Sequence, residues 1–152
     1  MSNYLVIVEC AIEHEGKYLM IRRPEGVQAG GLLAFPGGKV DYADGEKCSD
    51  ILINAVKREV YEEVGLNLLD PIRFATSSYF IYSSDQHALD VIFYTKLEKT
   101  KVEVTPSARE VPEYFWLTLE QIHSHKKTPE WVERQIAIIE REKRPAGSLL
   151  YN

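Results

Sequence analysis

An α+β sandwich is the fold class that this sequence predicts, and three observations carry it. Val- and Ile-rich runs of strand length open the chain and return in its middle, bounded by turn residues. A segment with helical periodicity lies between them, and a second one, rich in isoleucine, comes late in the chain. At 152 residues the chain affords one core and not two full domains, so strands and helices must pack as layers of a single unit.

The elements follow in order. Tyr4 to Glu13 reads as a strand, His14-Glu15-Gly16-Lys17 as a hairpin turn and Tyr18 to Arg23 as the return strand. Pro24 to Gly31, with three glycines, is a loop. Leu32 to Phe35 is a short strand, and Gly37 to Ser49 a long loop of the kind that is functional or mobile in compact domains. Asp50 to Val64 is a helix, and Gly65 suits the left-handed residue beyond its end, with Leu66 packing back. Ile72 to Tyr82 and Ala88 to Leu97 are strands joined by a polar turn, and Tyr114 to Leu117 is a further short strand. Thr118 to Ser124 and Thr128 to Lys143 are helices. The expected domain spans residues 1–144, with a loose tail over 145–152.

Bulk composition narrows the function classes. A net charge of −5 and a pI near 5.4 argue against a nucleic-acid polymer as partner, which asks for a basic face. No apolar run approaches the length of a membrane span, and Met1-Ser2-Asn3-Tyr4 lacks the basic start of a signal peptide. Cys10 and Cys48 match no zinc or redox spacing and read as free thiols of a cytoplasmic protein.

The most informative stretch is Arg58-Glu59-Val60-Tyr61-Glu62-Glu63-Val64-Gly65-Leu66. On a helical wheel Leu52, Val56, Val60 and Val64 form one apolar stripe. Glu59 and Glu63 fall beside that stripe and not opposite it, whereas Glu62 sits further round on the polar side. Carboxylates wedged against a core repel each other and lose hydration, which a bound cation relieves. Magnesium is held in this way, by one or two carboxylates together with water and substrate phosphates. A plainer reading, an i,i+4 ion pair of Arg58 with Glu62 on a solvated helix, stands beside it.

With the lead-in Phe35-Pro36-Gly37-Gly38-Lys39-Val40, this stretch resembles the signature of the Nudix hydrolases. That box reads Gly, five residues, Glu, seven residues, then Arg-Glu-aliphatic-any-Glu-Glu-any-Gly-aliphatic. The second half is met at every position from Arg58 to Leu66. The first half departs from it. The family places its Arg fourteen residues after the glycine, but Gly38 to Arg58 is twenty, so six residues are extra within Asp41 to Ser49. Counting back from Arg58 gives Asp50 for the upstream carboxylate, and Glu46 is the other candidate. The extra residues are expected to tune substrate preference, so that trimming Tyr42 to Glu46 would change KM more than stability.

The resemblance implies a Nudix-type mixed sheet between helices, covering roughly Leu5 to His123. It implies Mg²⁺, with Mn²⁺ as the alternative, on Glu59, Glu62, Glu63 and the Gly37 carbonyl, with Arg58 orienting the carboxylates. The substrate class is a nucleoside diphosphate linked to another group. A nucleoside triphosphate cut to monophosphate and pyrophosphate is the first reading, and an ADP-ribose or nucleotide-sugar pyrophosphatase the second. From another class, a non-catalytic nucleotide-binding regulatory domain remains open, although one need not keep all three carboxylates. Arg22, Arg23 and Lys39 are candidate phosphate contacts, and Arg22 and Arg23 point to opposite faces if both lie on the strand. Metal-held carboxylates are poor proton acceptors, so Glu113 first and Glu110 second, ahead of Trp116, are the candidate general bases, with Glu62 or a metal-bound hydroxide as the alternative. Phe80, Tyr82, Phe93 and Tyr94 are expected in the core, with stacking on a base as the alternative for one of them, and the four histidines on the surface. The sequence leaves the oligomeric state open, with a homodimer allowed.

Overall fold

The computed structural model describes residues 2–143. The tail expected over 145–152 lies outside the described residues. Seven strands form one mixed sheet: β1 (Tyr4–His14), β2 (Lys17–Arg22), β3 (Leu33–Ala34), β4 (Gly37–Lys39), β5 (Ile72–Ser83), β6 (Gln86–Lys96) and β7 (Glu113–Leu117). The helices are α1 (Ile51–Val64), α2 (Leu119–Ser124) and α3 (Glu130–Glu142).

The sheet is organised around β1. One edge of β1 pairs in parallel with β6 along its length, from Tyr4↔His87 to Glu13↔Lys96. Its other edge meets β2 only beside the hairpin, at Glu13↔Tyr18 and His14↔Lys17. Beyond that point the two strands diverge, and the segment from β3 to β4 fills the opening. Leu33–Ala34 pairs with β2, Pro36 accepts from Cys10 N–H at 2.9 Å, and Gly37–Lys39 pairs with β1. The expected long loop therefore begins later than the sequence suggests. Glycine is a poor strand former, and here the missing side chains are what permit the pairing. A Cβ on Gly37 would lie 2.1 Å from the Val8 carbonyl oxygen and 2.7 Å from the Glu9 Cα.

Two cores lie on the two faces of the sheet. Val8, Cys10, Ile12, Leu19 and Ile21 pack against Ala55, Val56, Val60 and Val64 of α1. Ala11, Met20, Leu33, Phe35 and Ile92 pack against Ile122 of α2 and Val132, Ile136 and Ile139 of α3. The alternation of side chains along β1 and β2 makes both layers, which is the sandwich the periodicity predicted. The end of α3 is fastened by polar contacts: Lys143 Nζ lies 2.8 Å from Glu13 Oε1 and 2.9 Å from Glu140 Oε1, and Tyr94 donates to Glu13 at 2.6 Å. Phe93 and Tyr94 are buried as expected, whereas Phe80 and Tyr82 are half-buried and line a cavity. No helix among the described residues is long and apolar enough to cross a membrane.

Candidate active site

Helix α1 bears out the wheel. Val56, Val60 and Val64 are fully buried, the Glu59 side chain is 14% exposed and the Glu62 side chain 52%. Gly65 closes the helix in the left-handed region at φ 71°, its N–H bonded to Tyr61 O at 2.9 Å, and Leu66 is buried.

Arg58 spends all five of its donors on four partners. Its Nε and one terminal nitrogen fork onto the two oxygens of Asp44 at 2.8 and 2.9 Å, and that same terminal nitrogen reaches the Lys39 carbonyl at 3.0 Å. The other terminal nitrogen reaches Glu59 at 2.9 Å and Glu62 at 3.1 Å. A planar guanidinium is suited to such a fork. Arg58 thus ties α1 to β4 and fixes the direction of Glu59. The i,i+4 contact with Glu62 is one part of this cluster.

The upstream carboxylate is Asp44, not Asp50 or Glu46. Asp44 lies six positions beyond Gly38, with five residues between them, which is the box spacing counted forward, so the extra residues fall after it. It is 6% exposed and sits in a 3₁₀ turn, Tyr42–Gly45, capped by Asp41, whose N–H donates to Asp44 at 2.7 Å. The Arg58 guanidinium holds its carboxyl below the usual range. Asp50 instead begins α1 at φ 55°, and neither it nor Glu46 contacts Arg58. Asn54 then bridges the added loop, donating to Asp44 O at 3.0 Å and Ser49 O at 3.3 Å.

This placement favours the opposite outcome for trimming the loop, because Tyr42 to Glu46 carries the Asp44 half of the ion pair with Arg58. Removing one partner of a poorly hydrated pair strands the other. Asp44→Ala is expected to cost about 2 kcal/mol, less than a fully buried pair because Arg58 is partly solvated. Urea denaturation would check it. Deleting Tyr42 to Glu46 should cost at least as much, with the loss appearing in stability before KM.

Glu63 is the most perturbed carboxylate of the helix. Burial, with the nearby charges of Glu110 and Glu59, pushes it up to about 8, although it accepts from Gly37 N–H at 2.9 Å and Arg23 is close enough to oppose the rise. Burial also raises Glu59, against the pull of Arg58. A Cβ on Gly38 would lie 2.3 Å from a Glu59 oxygen, so that carboxylate packs on bare backbone. Glu110 is brought alongside by its loop: Ser107 N–H bonds Glu63 O at 2.8 Å, Thr105 N–H bonds Val64 O at 2.9 Å, and Val111 is buried. Glu113 stands elsewhere. It faces Arg22 across β2 and β7 and accepts from Arg22 Nε at 2.7 Å.

Mutually raised carboxylates beside a backbone glycine suit a hard divalent cation, which would neutralise them without a side chain in the way. Among the described residues no three acidic, His or Cys side chains converge in ligand geometry. Glu62 leans onto Arg58, and Glu63 onto Gly37 N–H.

On the α3 side of the sheet, bounded by Gly37, Gly38 and Lys39, lies a cavity of about 410 Å³, within the range of small-ligand sites. Arg23, just past the end of β2, is in its wall. Its Nε donates to Gln28 O at 2.7 Å, and it makes no ion pair among the described residues. Lys39 lies over the Tyr82 ring at 4.9 Å. Arg22 is instead occupied by Glu113. Two further acids in the wall, Glu9 and Asp90, escaped the sequence reading, since a single carboxylate in an alternating strand looks solvent-facing. Burial, and for Glu9 also the neighbouring Asp90, holds both above the usual range.

A NUDIX domain family model matches residues 4–140. The chain belongs to the Nudix hydrolases. Among solved structures, the MutT protein from Methanosarcina mazei Go1 is 26% identical with a TM-score of 0.76, over 95% of this chain and 98% of that one. The NUDIX domain of Shewanella oneidensis NrtR, complexed with ADP ribose, is 16% identical with a TM-score of 0.73, over 94% of this chain and 91% of that one. A bifunctional NMN adenylyltransferase/ADP ribose pyrophosphatase from Francisella tularensis, complexed with AMP and a Mn ion, is 19% identical with a TM-score of 0.68, over 94% of this chain and 42% of that one. Both of these last likenesses are of fold. Among curated proteins no sequence matches.

Proposed function

We propose that this protein is a cytoplasmic Mg²⁺-dependent pyrophosphohydrolase that cuts a nucleoside triphosphate to its monophosphate and pyrophosphate. The observation that supports it most is the juxtaposition of Glu59, Glu63 and Glu110 with a cavity across Gly37 and Gly38. The 26% identity to a MutT protein, over nearly the whole of both chains, fits that choice of substrate. ADP-ribose is the second reading, because two neighbours of the same fold carry that name in their ligand or activity.

Phosphoanhydride hydrolysis needs neutralised phosphate oxygens and an activated water, which bound Mg²⁺ supplies; Mn²⁺ would serve the same donors. Glu59, Glu63 and the Gly37 carbonyl would hold the cation, with Glu62 on the solvent side. Arg58 keeps Glu59 aimed. Arg23 and Lys39, which line the cavity, would bind the phosphate chain, whereas Arg22 would brace β7 through Glu113. Glu110 is the nearer candidate to take the proton of the attacking water.

The test is a panel of nucleoside triphosphates, ADP-ribose and nucleotide sugars with Mg²⁺, the products identified by mass spectrometry after reaction in ¹⁸O water. Internal anhydride cleavage is expected, with label on one product and no attack on AMP or p-nitrophenyl phosphate. Phosphomonoester hydrolysis as the main activity would refute this reading. Tight nucleotide binding without turnover would favour a regulatory domain.

A further inference from the structure

We propose that Asp90 sets base specificity by accepting a hydrogen bond from an exocyclic amine, so that amino-bearing bases are preferred to their oxo counterparts. This rests on the nucleotide reading of the site. The cavity offers flat walls from Phe35, Phe80 and Tyr82, which suit a planar ring. Within those walls Asp90 is 5% exposed, and its Oδ1 has no hydrogen-bond partner among the described residues. Glu9 faces the same cavity from the neighbouring parallel strand, where Ile7 pairs with Asp90 and Glu9 with Ile92. Glu9, raised the further of the two, shares a side-chain hydrogen bond with Asp90, and no other protein donor reaches Asp90 among the described residues, which leaves its Oδ1 open to the cavity. Arg23 is close enough to influence both, yet bonds neither.

An ionised carboxylate only accepts, and a buried acceptor without a donor is costly enough to be rare. A ligand can supply the missing donor. A phosphate, which brings acceptors only at neutral pH, does not supply it, and the basic groups Arg23 and Lys39 offer it better contacts. The part of a nucleotide that reaches the acidic end must therefore be neutral and carry N–H or O–H. Aromatic walls favour the base over the ribose. An amine then donates to Asp90, whereas a carbonyl at the same position meets it lone pair to lone pair.

The test compares kcat/KM for the matched pairs ATP/ITP, GTP/XTP and CTP/UTP, with a ribo/deoxy pair alongside, in wild type and Asp90→Asn. Asparagine keeps the shape but replaces one acceptor with a donor. In the pair turned over best, the wild type should favour the amino member by at least about ten-fold, the usual worth of a charge-assisted hydrogen bond. Asp90→Asn should bring that ratio to near one or reverse it, through KM and with kcat little changed. Loss of a buried carboxylate should leave melting unchanged or raised. An unaltered ratio in the variant overturns the proposal, as does a change in the ribo/deoxy ratio in its place. Should the variant not fold, a wild-type ratio near one overturns it equally. Calorimetric titration with AMP against IMP, and GMP against XMP, without metal reads the same preference independently of turnover. An enzyme idle on every nucleotide but selective in that titration would refute the hydrolase reading and leave this one standing.

Discussion

Glu63→Gln and Glu59→Gln should each lower turnover by roughly 10²–10³-fold, the scale seen when one preorganised electrostatic contact to a transition state is removed, and neither should unfold the protein. Both side chains lie beside the fully buried Val56, Val60 and Val64 and keep their shape as amides. The two variants differ in a metal-free test. Glu63 stays protonated in the fold up to about 8, while in the unfolded chain it ionises near the ordinary ~4.3. Between these values the unfolded state gives up a proton that the folded state keeps. This acid therefore contributes nothing unfavourable below pH ~4, and it erodes stability as pH rises toward 8. Glu63→Gln removes the penalty. In EDTA at pH 8 it should be more stable than wild type by about 1–3 kcal/mol, discounted for partial solvation, and the gap should close toward pH 5. Saturating Mg²⁺ should invert the order, because only the wild type gains from the ion. Melting curves across pH, with and without Mg²⁺, would show it. Glu59→Gln should gain less, since it also gives up the charge paired with Arg58 at 2.9 Å. Equal melting of wild type and Glu63→Gln at every pH, with unchanged turnover, would remove this helix from the metal site.

What the sequence made legible follows from where periodicity speaks. A stripe at 3.6-residue spacing was enough to rank Glu59 as sheltered and Glu62 as solvated, and their side-chain exposures of 14% and 52% follow that order. The same stripe placed Gly65 at the helix end. Asp44 was missed for a reason of direction. Counting back from Arg58 assumes that the helix and the carboxylate keep their distance in sequence, but the added residues fall between them. The 3₁₀ turn restores in space what the spacing loses, and counting forward from Gly38 would have found it. The β4 strand was invisible because two glycines carry no strand signal of their own. Their role is to let β1 and Glu59 approach, a tertiary requirement. Glu9 and Asp90 were hidden because alternation tells which residues share a face, and not whether that face meets water or a cavity. Phe80 and Tyr82 show the same ambiguity from the apolar side.

Glu110→Gln should lower kcat by roughly 10²–10⁴-fold, the usual worth of a general base, and Glu113→Gln should lower it much less. This order reverses the one suggested by proximity to Trp116 in sequence, and the reason is geometric. Ser107 and Thr105 hook the loop onto the last turn of α1, so the charge of Glu110 is felt by both Glu59 and Glu63. Glu113 is spent on Arg22 at 2.7 Å, directly opposite it in the β2–β7 ladder. An exposed pair of that kind contributes at most about 1 kcal/mol, so Glu113→Gln should lower the melting temperature slightly and leave the Mg²⁺ requirement as it was. The two possible uses of Glu110 separate in a Mg²⁺ titration. Measured above pH 8, where Glu63 is largely ionised in both proteins, a base lost at Glu110 depresses kcat at saturating metal and leaves the midpoint nearly in place. A ligand lost there moves the midpoint to higher Mg²⁺ and restores kcat at saturation. The pH profile gives a second handle. In wild type the proton on Glu63 must leave before a cation can sit against it, so apparent Mg²⁺ affinity should climb with pH and level off near 8. Removing the Glu110 charge relieves part of the pressure on Glu63, so in Glu110→Gln that plateau should arrive at lower pH, whichever role Glu110 has in the chemistry. A plateau that stays in place would mean that the loop holds Glu110 away from the carboxylates in solution, and the base would then have to come from the box itself, at Glu62.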